Sequence, residues 1–479
     1  MTIETLPDET LLGIFDFYVD GTRGDDRWHT LVHVCQRWRN VVFASPRRLD
    51  LRLLSTQRRS LEKILDLWPA LPIIVRDNGP EFTPRGAKNI IAALKYRNRI
   101  CEMTLSDVSA PFSEQFLAVF QEPFPELTDL TLSNWWNVKV TLPDTFLGGS
   151  TPRLQTLCMR GISFPVLPKL LLSASHLVRL GLWDIPNSGY ISPEAIATCL
   201  STLNRLEQLD VTFDSPRSRP DRATQRPPPL KRSVLPALTR FGFKGVSEYL
   251  EDLVARIDAP RLRTVTITFF NQLIFDVLQL SQFLSRVEAF QVLDQARINL
   301  LYTSVDITLS GKTEADHHPN IQLEILCMRL EWQLSSLAQL CDSLLPPFAA
   351  LERLDIDTRF GQRWGDDMED TQWLELLRPF STVKDLRTSN GRDQGAIPSL
   401  QELGKEGAKL TLPLPQNVLF WSLQKAVKQF VTARQLSGHP VTVHPELGHV
   451  NAFLQPHRLP HEYGGKRGNK RGKVKAWRG

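Results

Sequence analysis

Two histidine pairs have the residue type and spacing that could serve metal chemistry. His29 and His33, like His457 and His461, are four positions apart, which could place two zinc ligands on one face of a helix. No glutamate between His29 and His33 supplies the base of a zinc protease, and Pro460 interrupts any helix that would align the second pair. We therefore expect structural or exposed histidines and no metal site at either pair.

Two polar segments are weaker candidates for a cation or acid–base site. Asp316, His317 and His318 precede Pro319 in a polar stretch between two strand-like segments, as loop residues do. The acidic run at 365–373 lacks the glycine and glutamate of a calcium loop, and a solvated helix start accounts for it. The sequence also lacks a recognisable nucleophile with its base and a phosphate-binding glycine loop. We expect a protein that is not an enzyme and uses no cofactor.

The composition is that of an ordinary globular protein. The 479 residues are 42% hydrophobic and 23% charged, which argues against a disordered or collagenous chain. The net charge of +5 is concentrated in residues 452–479, which hold eight Lys or Arg and one Glu. The remaining chain is nearly neutral, so we expect proteins rather than nucleic acid as partners.

The cysteines and the absence of long apolar runs indicate the compartment. The six cysteines are scattered, without a Cys-x-x-Cys pair, which is typical of reduced thiols inside the cell. No run reaches the roughly 18 apolar residues of a membrane span, and the first residues, MTIETLPDETLLGIF, lack a basic leader. The expected location is the cytoplasm, the nucleus or both, away from membranes.

Residues 3–48 are predicted to form a small unit of three helices. Apolar residues from Leu11 to Val19 cover more than half of the first helix, against about 100° on an ordinary surface helix. The patterns WHTLVHVCQRW and RNVVF predict the second and third helices. One small core cannot bury so many apolar side chains. We therefore expect a second hydrophobic partner, and side chains of Ile14 and Phe15 that are at least partly accessible in the isolated chain.

Residues 49–443 carry a loose repeat of the form L-x-x-L-x-L. Consecutive copies start 23 to 32 residues apart from residue 127 to residue 287. A weaker copy starts at Ile100, and the segments YTSVDITL and IQLEILCM are expected to fill the gap before the last copy. The eight clear copies start at Leu127, Leu154, Leu177, Leu206, Leu238, Leu262, Val287 and Leu351.

This repeat predicts an α/β solenoid. Alternate residues of each copy would enter a shared core as a strand, and a return segment, commonly helical, would lead to the next strand. Ten or so strands stacked in parallel would form a curved surface about 50 Å long. The Asn or Cys of regular leucine-rich repeats is absent, so the repeats are degenerate. Trp135 and Trp136 could anchor a partner or pack against a turn.

The ends of the array and one insertion have their own patterns. Residues 215–233 are rich in Pro, Ser and Arg and predict a disordered insertion, with a docking or phosphorylation site as an alternative. The like charges of 452–479 predict a basic disordered tail, with nuclear targeting or anion binding as alternatives. A closing helix that ends at Gly438 is predicted before a last strand, VTV. Its apolar face comprises Leu423, Ala426, Val427, Phe430 and Val431.

The sequences LPDETLLGIF and WHTLVHVCQRWRNVVFASPRRLDLRL resemble an F-box, in the form that begins leucine-rich-repeat F-box proteins of mushroom-type fungi, and FVTARQLSGHPVTV resembles the closing segment of that family. The resemblance implies a substrate receptor of an SCF-type ubiquitin ligase. Its F-box would bind a Skp-type adaptor, and through it a cullin scaffold, while the repeats hold a target protein. The adaptor-contacting residues that the resemblance implies are Leu6, Pro7, Glu9, Leu11, Leu12, Ile14, Phe15, Leu31, Val34, Cys35 and Trp38.

Two other functions stay open on the sequence alone. The helical unit could dock on the repeats of its own chain or serve a non-ligase interaction scaffold, and Leu11, Ile14 and Phe15 would then be buried within the chain. An enzyme on a repeat scaffold would instead need an enclosed polar pocket where a nucleophile, a histidine and a carboxylate converge.

Overall fold

The computed structural model describes most of the chain between residues 6 and 445. The described residues are 6–20, 28–55, 61–77, 84–106, 118–216, 232–311, 319–344, 351–358, 370–390 and parts of 427–445, with gaps at 47, 68, 135–139, 273 and 381.

Several sequence features discussed above lie outside the described residues. They are Trp135, Trp136, residues 217–231 of the insertion, Asp316, His317, His318, residues 365–369 of the acidic run, Leu423, Ala426, Phe430, and the tail 452–479 with His457 and His461.

Three short helices come first, and later helices alternate with strands. Asp8 and Glu9 occupy the first turn of the first helix, where carboxylates favour the positive end of the helix dipole. The Ser192 side chain accepts a hydrogen bond from the Ala195 N–H and so begins a later helix. The helices are α1 (Asp8–Asp20), α2 (Trp28–Val32), α3 (Gln36–Ala44), α4 (Leu61–Leu67), α5 (Pro84–Leu94), α6 (Leu167–Leu171), α7 (Pro193–Leu200), α8 (Ser247–Val254), α9 (Leu278–Ser285), α10 (Leu330–Leu344) and α11 (Asp370–Leu377).

A 15-stranded sheet runs through the described residues. Every neighbouring pair in it is parallel except the two pairs that involve one antiparallel strand, residues 304–310. The strands of the chain are β1 (Leu53–Ser55), β2 (Ile73–Arg76), β3 (Ile100–Leu105), β4 (Asp129–Ser133), β5 (Val140–Thr141), β6 (Thr156–Arg160), β7 (Ile162–Ser163), β8 (Arg179–Ile185), β9 (Gln208–Phe213), β10 (Ser233–Val234), β11 (Arg240–Gly245), β12 (Ile257–Asp258), β13 (Thr264–Phe270), β14 (Gln295–Leu300), β15 (Ser304–Ser310), β16 (Asn320–Leu326), β17 (Arg353–Thr358), β18 (Asp385–Asn390) and β19 (Thr442–Pro445).

The strand order gives the fold class. The main sheet runs β1-β2-β3-β4-β6-β8-β9-β11-β13-β16-β15-β14-β17-β18-β19, and the pairs β5–β7 and β10–β12 form two small separate sheets. The predicted α/β class with a mostly parallel sheet is thus confirmed. The strand VTV predicted at the carboxyl side is present as β19, and Gly438 before it has φ +79°.

The core lies between the sheet and its helices. From the copy at Leu127 to the copy at Leu262, the second position of each copy lies beside its counterpart on the neighbouring strand, so one apolar row crosses this part of the sheet. Each of the helices α6 to α10 packs against the next helix in the chain. Apolar side chains of strands and helices together form the core. The row begins with Leu130, Leu157, Leu180, Leu209, Phe241 and Val265, all buried.

One predicted strand is wrong in position. The copy starting at Val287 forms a short 3-10 turn, Glu288–Phe290, and the side chain of Val292 is 66% exposed. The strand of this unit, β14, begins at residue 295 and places Ala296 and Ile298 in the core. The other copies have a larger apolar residue at the position of Ala296. The sequence pattern therefore did not indicate this strand.

The expectation that successive strands stack in parallel is wrong at β15. The segments YTSVDITL and IQLEILCM do form β15 and β16, but β15 is antiparallel to both β14 and β16. Only residues 301–303 join β14 to β15, and a parallel pair needs a crossover of a dozen or more residues. The chain therefore skips two places in the sheet and returns to fill them.

The second predicted helix is interrupted. The pattern WHTLVHVCQRW spans α2, a turn, and the beginning of α3. Cys35 has extended backbone, and its Sγ accepts a hydrogen bond from the Trp38 N–H at 3.5 Å, which starts α3. His33 lies in the turn after α2, so the helical spacing on which a His29–His33 metal pair depends is not formed.

Glu251 joins two neighbouring helices through a half-buried carboxylate. Its side chain on α8 accepts hydrogen bonds from the N–H groups of Gln279 and Leu280 in the first turn of α9, at 2.7 and 2.8 Å. Burial raises the pKa of Glu251 to about 7, and the two N–H donors oppose this rise. Its ordinary pKa is 4.5. The folded chain therefore holds this proton at pH values where the unfolded chain has lost it.

We expect Glu251 to make the chain less stable as the pH rises from about 4.5 to about 7. The folded state binds more protons than the unfolded state in this window, so the free energy of unfolding falls by about 1 kcal/mol or more. Glu251→Gln should remove this component. Urea midpoints at pH 5 and pH 8 measure it, with Glu375→Gln at an exposed position as the control. An unchanged pH dependence in Glu251→Gln would contradict the assignment.

Candidate interaction surfaces

Helix α1 has one buried side and one exposed apolar side. Leu11 and Phe15 are fully buried, and the Phe15 ring lies 4.8 Å from the ring of Trp38 on α3, centroid to centroid. On the other side, Ile14 is 45%, Phe17 87% and Tyr18 40% exposed. Residues three and four apart are neighbours on a helix, so these three side chains form one surface. We call Ile14, Phe17 and Tyr18 the amino-terminal apolar surface.

The helical unit is fixed by hydrogen bonds between its segments. Arg37 on α3 donates to the Leu6 carbonyl and, at 2.7 Å, to the Asp8 carboxylate. The indole N–H of Trp28 donates to the Arg52 carbonyl at 3.1 Å, which ties α2 to the chain just before β1. The amino-terminal apolar surface is therefore presented by a helix anchored at its beginning and packed along its opposite side.

The eleven predicted adaptor contacts divide by burial. They all belong to the helical unit, but the chain buries some of them against one another. Pro7, Glu9, Ile14, Val34 and Cys35 are exposed, Leu6, Leu12 and Trp38 are half-buried, and Leu11, Phe15 and Leu31 are buried.

The expected accessibility of Phe15 is wrong. Phe15 packs on Trp38 within the helical unit, so it supports the surface and is not part of it. Leu11 and Leu31 are buried in the same core and share that role. Ile14 is accessible as expected. Phe17 is absent from the predicted contacts, although its spacing of three from Ile14 was a signal for it.

The second surface is the face of the main sheet that points away from the core, which we call the open face. Its side chains alternate along each strand with the core positions, as strand geometry requires. In β9, for example, Leu209 and Val211 are buried while Asp210 and Thr212 are only half-buried. The open face is therefore polar, whereas the core face is apolar.

At two glycines near the middle of the open face, neighbouring side chains lie flat against the backbone. A Cβ added to Gly181 would lie 2.7 Å from the indole of Trp183, so this ring lies flat over Gly181. The Asp210 carboxylate lies over Gly242 on β11 in the same way. Only glycine leaves room for these side chains to lie against the backbone. The ring and the carboxylate therefore fill the space over the two glycines and form part of the open face.

Charged groups surround Trp183. The guanidinium groups of Arg160 and Arg179 lie 5.6 and 6.0 Å from the Trp183 ring centre, and Arg160 pairs with Asp184 at 3.4 Å. Burial raises the pKa of Asp210, and the charges of Arg179 and a second arginine on β11 oppose this rise. The site combines an aromatic plane with cations, a composition that is common in binding hot spots.

The open face is basic in one region and acidic in another. Between β6 and β13, the open face has more basic than acidic side chains. The four basic ones are Arg160, Arg179, Arg240 and Lys244, and the two carboxylates are Asp184 and Asp210. From β16 to β17, the open face has more acidic than basic side chains. The four carboxylates are Glu324, Asp306, Asp355 and Asp357, and the two basic side chains are Arg297 and Arg353.

Within the described residues, no group of three or more His, Cys, Asp or Glu side chains is placed to hold a metal ion. A small pocket on the core side of Trp183 is lined mainly by apolar residues such as Met159, Phe164 and Leu182. Burial raises the pKa of the Cys158 and Cys199 thiols to about 11, so both thiols stay protonated.

None of the helices in the described ranges has both the length and the apolarity needed to cross a membrane. No protein-family model matches this chain, and no similar curated protein was found.

Proposed function

We propose that this chain is the substrate-recognition subunit of an SCF-type ubiquitin ligase. Residues 3–48 would act as an F-box that binds a Skp-type adaptor, and residues 49–443 as a degenerate leucine-rich-repeat solenoid that binds a target protein. The observation that carries the proposal is the exposure of Ile14, Phe17 and Tyr18 on one side of α1. Leaving a large apolar side chain in water forfeits about 1.5–3 kcal/mol. A second polypeptide that covers these three side chains would recover that free energy.

The sheet supports the second half of the proposal. Strands β4, β6, β8, β9, β11 and β13 each begin two residues into a predicted copy, and β3 begins at the first residue of the weaker copy. From β3 to β13, each of these strands pairs in parallel with the one before it. Strand–return–strand units that contact mainly their neighbours are the arrangement of leucine-rich-repeat proteins. Such a stack leaves one long face of the sheet available to a partner.

The mechanism of such a receptor is positional. It would form no bond with the target but would hold a target lysine near a ubiquitin-charged enzyme on the cullin scaffold. Tethering replaces a bimolecular encounter by an effective concentration that is set by the geometry of the complex. The amino-terminal apolar surface would bind the ligase, and the open face would bind the cargo.

The test is capture of a purified Skp-type adaptor by the full chain. We expect Ile14→Asp combined with Phe17→Asp to weaken capture at least tenfold, since each change places a charge in an apolar contact. Phe15 is unsuitable for this test because a charge at that buried position would disrupt the helical unit. Isothermal titration calorimetry measures the affinity.

The matched control is Leu172→Asp combined with Val292→Asp. These are also exposed apolar residues, 52% and 66% accessible, but they lie far along the chain from α1. We expect this control variant to bind the adaptor as the wild type does. Circular dichroism verifies that both double variants are folded. Unchanged capture by the α1 variant, or no capture by the wild type, overturns the proposal.

A second function, a protein-interaction scaffold without a ligase, is favoured by one observation. Leu11 and Phe15, two of the three residues that this alternative places inside the chain, are buried. Such a scaffold would bind its partner through the open face and leave the adaptor unbound. The capture experiment separates the two functions directly.

A further inference from the structure

We propose that the open face binds an extended segment of a partner protein that crosses the strands, with carboxylates toward one end and basic side chains toward the other. The inference rests on the proposed function in that it names the chemistry of the bound cargo. The observation behind it is the separation of charge along the face, which gives a bound segment a fixed direction.

The basic region has cations that its own carboxylates leave partly available. Arg160 is paired with Asp184, and Asp210 lies within the fields of Arg179 and Arg240. Arg240 is exposed, and it shares β11 with Lys244. These two cations on β11 lie two strands away from Trp183, whose ring is flanked by Arg160 and Arg179. Four basic side chains in this region favour an acidic stretch of polypeptide.

The acidic region contains carboxylates placed opposite one another. Asp306 and Glu324 are direct cross-strand partners on β15 and β16. Like charges in that position are destabilising. Asn299 donates to Asp306 at 2.8 Å, and Thr268 donates to Glu324 at 3.1 Å, which compensates in part. Asp306 is buried and Glu324 is half-buried, so Glu324 is the member of this pair that a basic side chain of a partner would reach.

Two further carboxylates of the acidic region, Asp355 and Asp357, lie on β17. Asp355 pairs with Arg297 at 3.3 Å, and Asp357 stands opposite Asn299 in the register. One oxygen of Asp355 is buried and lacks a hydrogen-bond partner within the described residues. Asp355 and Asp357 thus add two half-buried carboxylates to this end of the open face.

The distance between the basic and acidic regions sets the length of the bound segment. From β8 to β17 there are seven neighbouring steps in the sheet order, or about 34 Å at about 4.8 Å per step. An extended chain covers this distance in about ten residues. The uncharged open-face residues of β13, Thr264, Thr266 and Thr268, separate the two regions. The Trp183 ring, lying flat over Gly181, would form the floor under the acidic end of the segment.

The experiment uses labelled synthetic peptides of about twelve residues and the full chain. One peptide has a block of glutamates, a serine spacer and a block of lysines; the second has the same blocks in reverse order; the third alternates the same charges. At low salt, we expect one of the block peptides to bind at least tenfold more tightly than the alternating peptide. Fluorescence anisotropy measures the affinities.

Charge reversal on the chain provides the second arm. Arg240→Glu combined with Lys244→Glu should abolish the preference for the block peptide, while Arg153→Glu with Arg261→Glu, at exposed positions in turns, should leave it unchanged. Circular dichroism verifies folding of both variants. The inference is overturned if the three peptides bind equally, if none binds, or if the β11 variant keeps the preference. Adaptor capture does not involve these residues, so failure here leaves the proposed function standing, and loss of capture leaves this result unaffected.

Discussion

Replacing Tyr249 with alanine should lower the free energy of unfolding by about 3–5 kcal/mol. Tyr249 lies on α8, is fully buried, and has three aromatic neighbours. Its ring centroid is 4.7 Å from that of Phe213, 5.8 Å from Phe243 and 6.0 Å from Tyr190. Truncation would leave a cavity where the helix meets β9 and β11, and rings of this size relax only partly into such a space.

The hydroxyl group of Tyr249 gives this prediction an internal control. It donates a hydrogen bond to the Ile191 carbonyl at 2.8 Å in a buried setting. Tyr249→Phe keeps the ring and removes this bond, and should cost only about 1 kcal/mol. Urea denaturation of both variants measures the difference. A loss below about 1 kcal/mol for Tyr249→Ala would contradict the assignment of this ring to the centre of the core.

Gly161→Ala should cost about 2–4 kcal/mol, although it adds a single methyl group. Gly161 lies between β6 and β7 with φ +64°, in the left-handed region that side chains avoid. A Cβ there would also lie 2.6 Å from the backbone oxygen of Asn134. The Gly161 N–H donates to the Trp183 carbonyl at 2.9 Å, so the backbone cannot move away without losing that bond.

Gly149→Ala separates the cost of the left-handed backbone conformation from the cost of the close contact with Asn134. Gly149 has φ +75°, but a Cβ there would meet nothing within 4 Å. We expect it to cost about 1 kcal/mol, from the backbone conformation alone. The difference between the two midpoints in urea isolates the contact with Asn134. Equal costs would show that the close approach at Gly161 carries no penalty.

Much of the sheet could be predicted because its core residues are large and regularly spaced. Leu209 and Val211 in β9, or Phe241 and Phe243 in β11, stand at the predicted positions of their copies. The position of the strand containing Ala296 was not predicted, because alanine stands where the other copies have a larger apolar residue. The direction of β15 could not be predicted from the pattern, since parallel and antiparallel strands have the same alternation of side chains. The short connection at 301–303 was the available signal.

The two surfaces were predictable to different extents. The sequence shows that α1 has more apolar residues than one core can bury, but not which of them the chain buries itself. That depends on Trp38, which covers Phe15 and leaves Phe17 exposed. The open face left no periodic signal, because polar residues alternate in any half-buried strand. Gly181, two positions before Trp183, was a local sign of a ring lying along the strand.

The return of the chain through β14, β15 and β16 has a consequence for biosynthesis. Strand β13 ends at residue 270, but its neighbour on the far side, β16, begins only at residue 320. At about 5–20 residues per second, the ribosome needs about 3–10 seconds to supply that neighbour. Throughout that interval the nascent chain carries seven residues of bare, apolar-sided strand, a template for pairing with other polypeptides. The reversal that completes the finished sheet thus prolongs the time for which this strand edge of the emerging protein stays unpaired.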